Sequence, residues 1–332
     1  MRLAAVLVGL TVALVGLELI LGLLGGGAAP PRELAIYEEH RAADPRFPHI
    51  RRPPSPPPTA RSFRLMVVGD SFTWGTGVYH RDIYARRLES LLERMDRRLD
   101  IELSVVSRPG WNTARELFAV QQAVRRKRPQ LIVLGYCLND AEPSDDEAIA
   151  RMLRPTNRRE PQSALGRALF ARSGLFGLVW NRLENSRQRR AFERYYHRLY
   201  EREGWQQAQQ ALDGFRQLAW DLEAPLVVAL FPVFDQQFDA GYSYASLHET
   251  VMAALRQRDI LALDLIEDYR GIDTERLAVV PFTDPHPNEL AHRIASQRLA
   301  HFLVEERLVP ISRQQRDRVE LSLAPDKVKD EN

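Results

Sequence analysis

The chain has 332 residues, enough for one large domain or two modest ones with a buried core. Hydrophobic residues make up 45% and charged residues 27%, and 46 basic against 44 acidic residues leave a net charge of +2. This is globular composition without the basic surplus that nucleic-acid binding calls for. The single cysteine, Cys137, excludes an internal disulfide and a CxxC metal site, and none of the 8 histidines belongs to an HExxH pair.

Residues 3–24 form an almost unbroken apolar run with Glu18 as its one charge. Roughly 20 such residues cross a bilayer core as a helix, whereas a signal-peptide core is about 7–15 residues long. The small residues Gly25 to Ala29 resemble a cleavage region, but Pro30 directly after them disfavours cutting. We therefore read residues 1–25 as a transmembrane anchor or signal-like helix, with a cleaved leader and a buried helix as the alternatives. Only Arg2 precedes the run, and a short flank before a large domain favours an inside N-terminus. The domain is then expected outside the cytoplasm, in a periplasm or at a cell surface. Residues 26–62 read as a tether, because Pro53 to Pro58 is proline at every position but Ser55 and favours extended polyproline II.

From Phe63 the pattern is α/β. Short apolar runs at 65–68, 103–106, 131–134, 226–231 and 260–265 read as strands. Helical spacing appears at 84–97, 114–127, 205–222, 246–257 and 288–306. Apolar strands that alternate with helices predict a parallel sheet covered on both faces. The segment 141–204 is too long for an ordinary connection. It mixes Leu165, Leu169, Phe170, Leu175, Phe176, Leu178, Val179 and Trp180 with Arg167, Arg172 and Arg182. A lid, a substrate-binding wall, an interfacial membrane helix and a packed helical subdomain all fit that mixture. Residues 308–332 read as a polar tail.

The residues that suggest chemistry sit at the ends of these strands. Gly69-Asp70-Ser71 follows the first strand, where open α/β sheets bind ligands. A serine hydroxyl there needs a base to become a nucleophile. Pro109-Gly110-Trp111-Asn112-Thr113 follows the second strand, and Gly135 to Asp140 follows the third. Asp284-Pro285-His286-Pro287-Asn288 precedes the last helix. Taken singly, each has a plainer explanation: Gly-Asp-Ser suits a turn or helix cap, Asn139-Asp140 a turn, and His286 a helix entry. Asp70 and Asp140 read as loop braces, Cys137 as a small buried residue, His292 as a helix-surface residue and Arg187 to Arg190 as a solvated face.

Together, in this order, the four blocks resemble the SGNH/GDSL hydrolases over about residues 63–307. The resemblance implies a three-layer α/β/α sandwich with a flavodoxin-like, five-stranded parallel sheet. It implies Ser71 as nucleophile, His286 as general base and acid, and Asp284 as the group that orients the imidazole. The Ser71 and Gly110 N–H groups and the Asn139 amide would face the oxyanion. The family's usual Asp-x-x-His is Asp-x-His here, and Val105 and Ser107 stand where relatives often carry Asn and Gly. The implied reaction is ester hydrolysis without cofactor or metal, on a small acyl ester, a lipid or an acylated glycan. Acyl transfer to a cell-envelope glycan and a non-catalytic anchored interaction module are the alternatives.

Overall fold

In the computed structural model of this protein the residues described are 62–143, 161, 163–280 and 284–311. The expected anchor, almost all of the tether, and the tail beyond Ile311 lie outside them. Among the described residues no helix is long and apolar enough to cross a membrane. Two compact units contain them. One takes in the described residues from 161 to 195, and the other takes in 62–143, 196–280 and 284–311.

The larger unit is built on a five-stranded parallel sheet of β1 (Ser62–Gly69), β2 (Asp100–Ser107), β3 (Leu131–Tyr136), β4 (Leu226–Leu230) and β5 (Leu261–Asp264), in the order β2-β1-β3-β4-β5. Every residue of β3 and β4 is buried, as the apolar runs require of central strands covered on both sides. The edge strands β2 and β5 are only partly buried.

The strand order fixes where the helices go. The chain moves outward from β1 to β2, then back across β1 to β3, and onward to β4 and β5. Right-handed crossovers therefore put α2 (Tyr84–Met95) on one face and α3 (Thr113–Ala123) on the other. The α3 face also receives α6 (Glu203–Asp221) and α7 (Ala245–Gln257), and the α2 face receives the last helix, α9 (Glu289–Glu305). The packing agrees, for α2 lies against α9 and α3 against α6. Leu88 and Leu92 on α2 are fully buried, as are Leu299 and Leu303 on α9 and Phe215 on α6. Truncating any of them to alanine should cost about 2–5 kcal/mol.

Reversal of direction at β1 opens a crevice between the carboxyl ends of β1 and β3. Two short helices, α1 (Ser71–Trp74) and α8 (Ile266–Tyr269), and an antiparallel hairpin of β6 (Ala278–Val280) and β7 (Asp284–Pro287) complete the unit. Val309 and Ile311 are buried, so the packed domain runs past residue 307 and the polar tail starts later than the composition suggests.

The smaller unit contains α4 (Ala164–Arg172) and most of the long helix α5 (Gly174–Tyr200). Leu165, Leu169, Leu178, Val179 and Leu183 are exposed on these helices, and so are Arg187, Arg189 and Arg190.

Candidate active site

Ser71 opens α1 directly beyond β1, and Asp70 caps that helix by accepting the Phe72 N–H at 2.8 Å. Gly69 and Gly135 are register partners at the ends of β1 and β3. A Cβ on either would collide with the Thr73 hydroxyl, and on Gly135 with the Tyr84 hydroxyl as well. Those two hydroxyls hydrogen-bond to each other at 2.8 Å across the gap the glycines leave. The glycines thus seat α1 tightly on the strand ends and hold Ser71 at the crevice, where it is 7% exposed.

The imidazole that meets Ser71 arrives from the hairpin. Side chains two apart on a strand project to the same side, so Asp-x-His on β7 places Asp284 and His286 side by side. This is the local reason the shorter spacing works here. The His286 Nδ1 lies 2.5 Å from Asp284 Oδ1, and its Nε2 lies 2.9 Å from Ser71 Oγ. The carboxylate keeps the ring proton on Nδ1, which leaves Nε2 to accept from the Ser71 hydroxyl. The His286 N–H also donates to Asp284 Oδ1 at 3.1 Å. Partial burial alone would raise the Asp284 carboxyl. The hydrogen bond and charge of the His286 ring, with that backbone N–H, outweigh it and hold the group below the ordinary carboxylate range.

Asn288 anchors the hairpin. Its Oδ1 caps α9 by accepting the N–H groups of Leu290 and Ala291, while its Nδ2 donates to the carbonyls of Arg276 and Ala278. The Phe72 ring lies 5.5 Å from the imidazole and packs on Phe231 and Phe234. The imidazole is therefore braced on its apolar side.

Asp70 joins the serine to Asn139. Its Oδ2 lies 3.2 Å from Ser71 Oγ and accepts from the Cys137 thiol at 3.3 Å and from Asn139 Nδ2 at 2.9 Å. The Cys137 thiol also contacts Asn139 Oδ1, so both ends of that amide are held. Nδ2 carries a second N–H for another acceptor. Burial, then the charges of Asp70 and Asp140, push the Cys137 thiol well up, which leaves it a structural donor and a poor nucleophile.

Gly110 lies in the exposed loop after β2 with φ +76°, a left-handed conformation that favours glycine. It is tied to the group indirectly. Asn112 donates to the Glu142 carbonyl at 2.7 Å and Thr113 to the Asp140 carbonyl at 3.2 Å. So Ser71, His286 and Asp284 are brought into direct contact, Asn139 joins through Asp70, and Gly110 stands on the adjoining loop.

His292 is not on the helix surface. It is fully buried, stacks on Tyr84 with ring centroids 5.9 Å apart, and accepts the Tyr84 N–H at 3.2 Å. Its position on the stripe Ala291, Ala295, Leu299, Leu303 that faces α2 is the signal for that burial. Asp70 braces its loop as the sequence suggests, but its tie to Asn139, and the ties of Asn288 to the Arg276 and Ala278 carbonyls, join positions separated along the chain and carry no local signature. Among the described residues no group of three or more His, Cys, Asp or Glu side chains is arranged to hold a metal ion. Chemically, a hydroxyl on an imidazole that is itself held by a carboxylate can pass its proton to that ring as the oxygen attacks an electrophile.

No family model and no curated protein matches the sequence. Solved structures do resemble the fold. One described as TesA is 16% identical, with a TM-score of 0.46, over 74% of this chain and 99% of its own. A family 3 carbohydrate esterase of Clostridium thermocellum is 13% identical with a TM-score of 0.44, over 74% and 96%. The lipase Lip_vut3 from a goat rumen metagenome is 14% identical with a TM-score of 0.44, over 76% and 99%.

Proposed function

We propose that this protein is a serine esterase of the SGNH/GDSL type. The observation that carries this is the unbroken chain from Ser71 Oγ through the His286 ring to Asp284, with contacts of 2.9 and 2.5 Å, at the sheet's switch point. In the proposed reaction Ser71 Oγ attacks the ester carbonyl carbon as its proton moves to His286 Nε2. The tetrahedral oxyanion is met by the Ser71 and Gly110 N–H groups and the free N–H of Asn139. Such a donor is worth about 2.7–4 kcal/mol of barrier. Collapse breaks the bond to the alcohol, which takes the proton from His286. Water then attacks the acyl-serine, gives a proton to His286 and releases the acid, and the proton returns to Ser71 Oγ. Asp284 stays charged throughout and favours the imidazolium.

The acyl group is carried by a small ester, a lipid or an acylated glycan. The apolar run at 3–24 supports a membrane-anchored enzyme acting outside the cytoplasm. The test is a fluorophosphonate probe followed by mapping of the labelled residue, together with release of free acid from a short acyl ester in water. Labelling confined to Ser71 and turnover abolished by Ser71→Ala are expected. Undiminished turnover by that variant refutes the assignment. Labelling without release of acid in water redirects the site to acyl transfer.

A further inference from the structure

Glu116 is fully buried in the first turn of α3, and Asp140 is 1% exposed in the turn Leu138–Ala141. Glu116 lies one turn beyond Thr113, whose hydroxyl donates to the Asp140 carbonyl at 3.2 Å, so the two carboxyl groups share one buried region between α3 and that turn. Asp140 Oδ2 accepts the Cys137 N–H at 2.7 Å. Among the described residues no N–H or O–H donor reaches Asp140 Oδ1 or either oxygen of Glu116. Two carboxyl groups buried in one region, with no donor for those three oxygens, cannot both be charged at tolerable cost, and a proton between them is the bridge left to them. The ionisable groups that face the pair are Asp70 beyond β1, Tyr84 on α2, Tyr136 and Cys137 at the end of β3, Tyr200 on α5, and Glu142. None of these is a cation. The three phenols and the thiol are pushed up chiefly by burial and remain neutral. Burial first, then the charge of Asp70, pushes Glu116 well up, while its neighbour Asp140 acts against that rise; burial first, then the charges of Glu116 and Asp70, pushes Asp140 well up.

The pair lies where it matters for geometry. The start of α3 follows the Gly110 loop, and the turn at 138–141 carries Asn139. Two hydrogen bonds already stitch these segments, from Asn112 to the Glu142 carbonyl and from Thr113 to the Asp140 carbonyl. Both run from one helix end to main-chain oxygens. The carboxyl pair adds a third link deeper in, between side chains, and Asp140 passes it on to the Cys137 N–H that begins the Asn139 turn.

We propose that Glu116 is a positioning residue: it holds one proton in common with Asp140, and this bridge sets the spacing between the Gly110 and Asn139 donors. Its effect on turnover rests on the esterase reading above; the shared proton does not.

The full chain in detergent or nanodiscs serves both measurements. Infrared difference spectra at neutral pH should contain the C=O stretch of a protonated carboxylic acid, shifted in D2O. The band should be lost in Glu116→Gln and in Asp140→Asn, where an amide supplies the bridging hydrogen. On a short acyl ester, Glu116→Gln should keep kcat near wild type. Glu116→Leu strands the Asp140 carboxylate and should lower kcat roughly hundredfold with KM little changed, as a displaced oxyanion donor does. Absence of the band overturns the shared proton, and it decides the matter even where Glu116→Leu does not fold. A folded Glu116→Leu protein with wild-type kcat overturns the positioning role, as does a Glu116→Gln protein as slow as Glu116→Leu. A wild-type protein that hydrolyses no ester sinks the esterase reading alone, and the band then settles the proton by itself.

Discussion

Two histidines of the larger unit each set Nδ1 against an aspartate. His286 meets Asp284 at 2.5 Å, and His248 meets both oxygens of Asp264 at 2.9 and 3.0 Å. They differ at the other nitrogen. The Nε2 of His286 lies on the Ser71 hydroxyl and its side chain is 26% exposed. The Nε2 of His248 is buried with no partner among the described residues, and its side chain is 3% exposed. The first pair sits two residues apart on one short strand. The second ties α7 to the end of β5, across sixteen residues of chain. A carboxylate beneath an imidazole is therefore not what makes a base. What distinguishes the proposed base is a hydroxyl at Nε2 and partial exposure to solvent; without them the same pair is a staple between a helix and a sheet.

The largest test of that distinction is His286→Ala. Loss of the group proposed to take the serine proton should lower kcat/KM by about 10^4-fold or more, which is over 5 kcal/mol of transition-state stabilisation, while thermal stability falls only by the smaller amount that the part-exposed Asp284 loses with its partner. Steady-state kinetics on a short ester beside a melting curve reads both. A variant that keeps a tenth of the activity would mean the two pairs do not differ in the way described.

Asp284→Asn comes next. The amide removes the charge and misdirects the ring proton, and kcat should fall roughly 10^3–10^4-fold. Because the native carboxyl is held below its usual range, its contribution to stability is fully present above the unfolded value of about 3.9. It is lost only as pH falls through the lower folded value. Unfolding of wild type and Asp284→Asn should therefore differ near neutrality and converge in strong acid. A gap that instead opens toward acid would reverse the sign assigned to Asp284.

His248→Leu should do the opposite of His286→Ala. It leaves turnover near wild type and costs about 2–3 kcal/mol of stability, since the Asp264 carboxyl loses its buried partner. Denaturant midpoints read the cost. A large loss of turnover with unchanged stability would move the second pair into the site.

Sequence pattern reached the fold further than it reached the network. The runs at 65–68, 131–134 and 226–231 announce β1, β3 and β4 because central parallel strands are apolar on both faces. The hairpin was not legible. Asp284 to Pro287 has no apolar alternation and two prolines, which disfavour strands. The Asp-x-His spacing itself was the available clue, because only extended backbone puts residues two apart on one side. The burial of His292, read from sequence as a helix-surface residue, follows from the stripe it shares with Ala295 and Leu299. Partnerships such as Glu116 with Asp140, or Asp70 with Asn139, join positions on separate strand ends. Sequence spacing carries no trace of them.

The smallest effect probes the second pair electrostatically. Asp268 on α8 is raised to about 6, first by burial, against which the Arg298 charge acts, and then by the charges of Asp264 and Glu267. A raised carboxyl favours the folded state fully below its unfolded value of about 3.9 and loses that contribution as pH rises through about 6. Asp268→Asn should therefore flatten the decline in stability over that window, less whatever its contact with Arg298 at 3.5 Å contributes. Asp264→Asn removes one of the charges that raise Asp268, and an NMR titration should find the Asp268 value lowered. An unmoved titration would mean that Asp264 carries no charge beside His248. The staple would then be a neutral hydrogen bond, and the contrast with the charged Asp284 beneath His286 would extend to the carboxylates as well as to the second nitrogen.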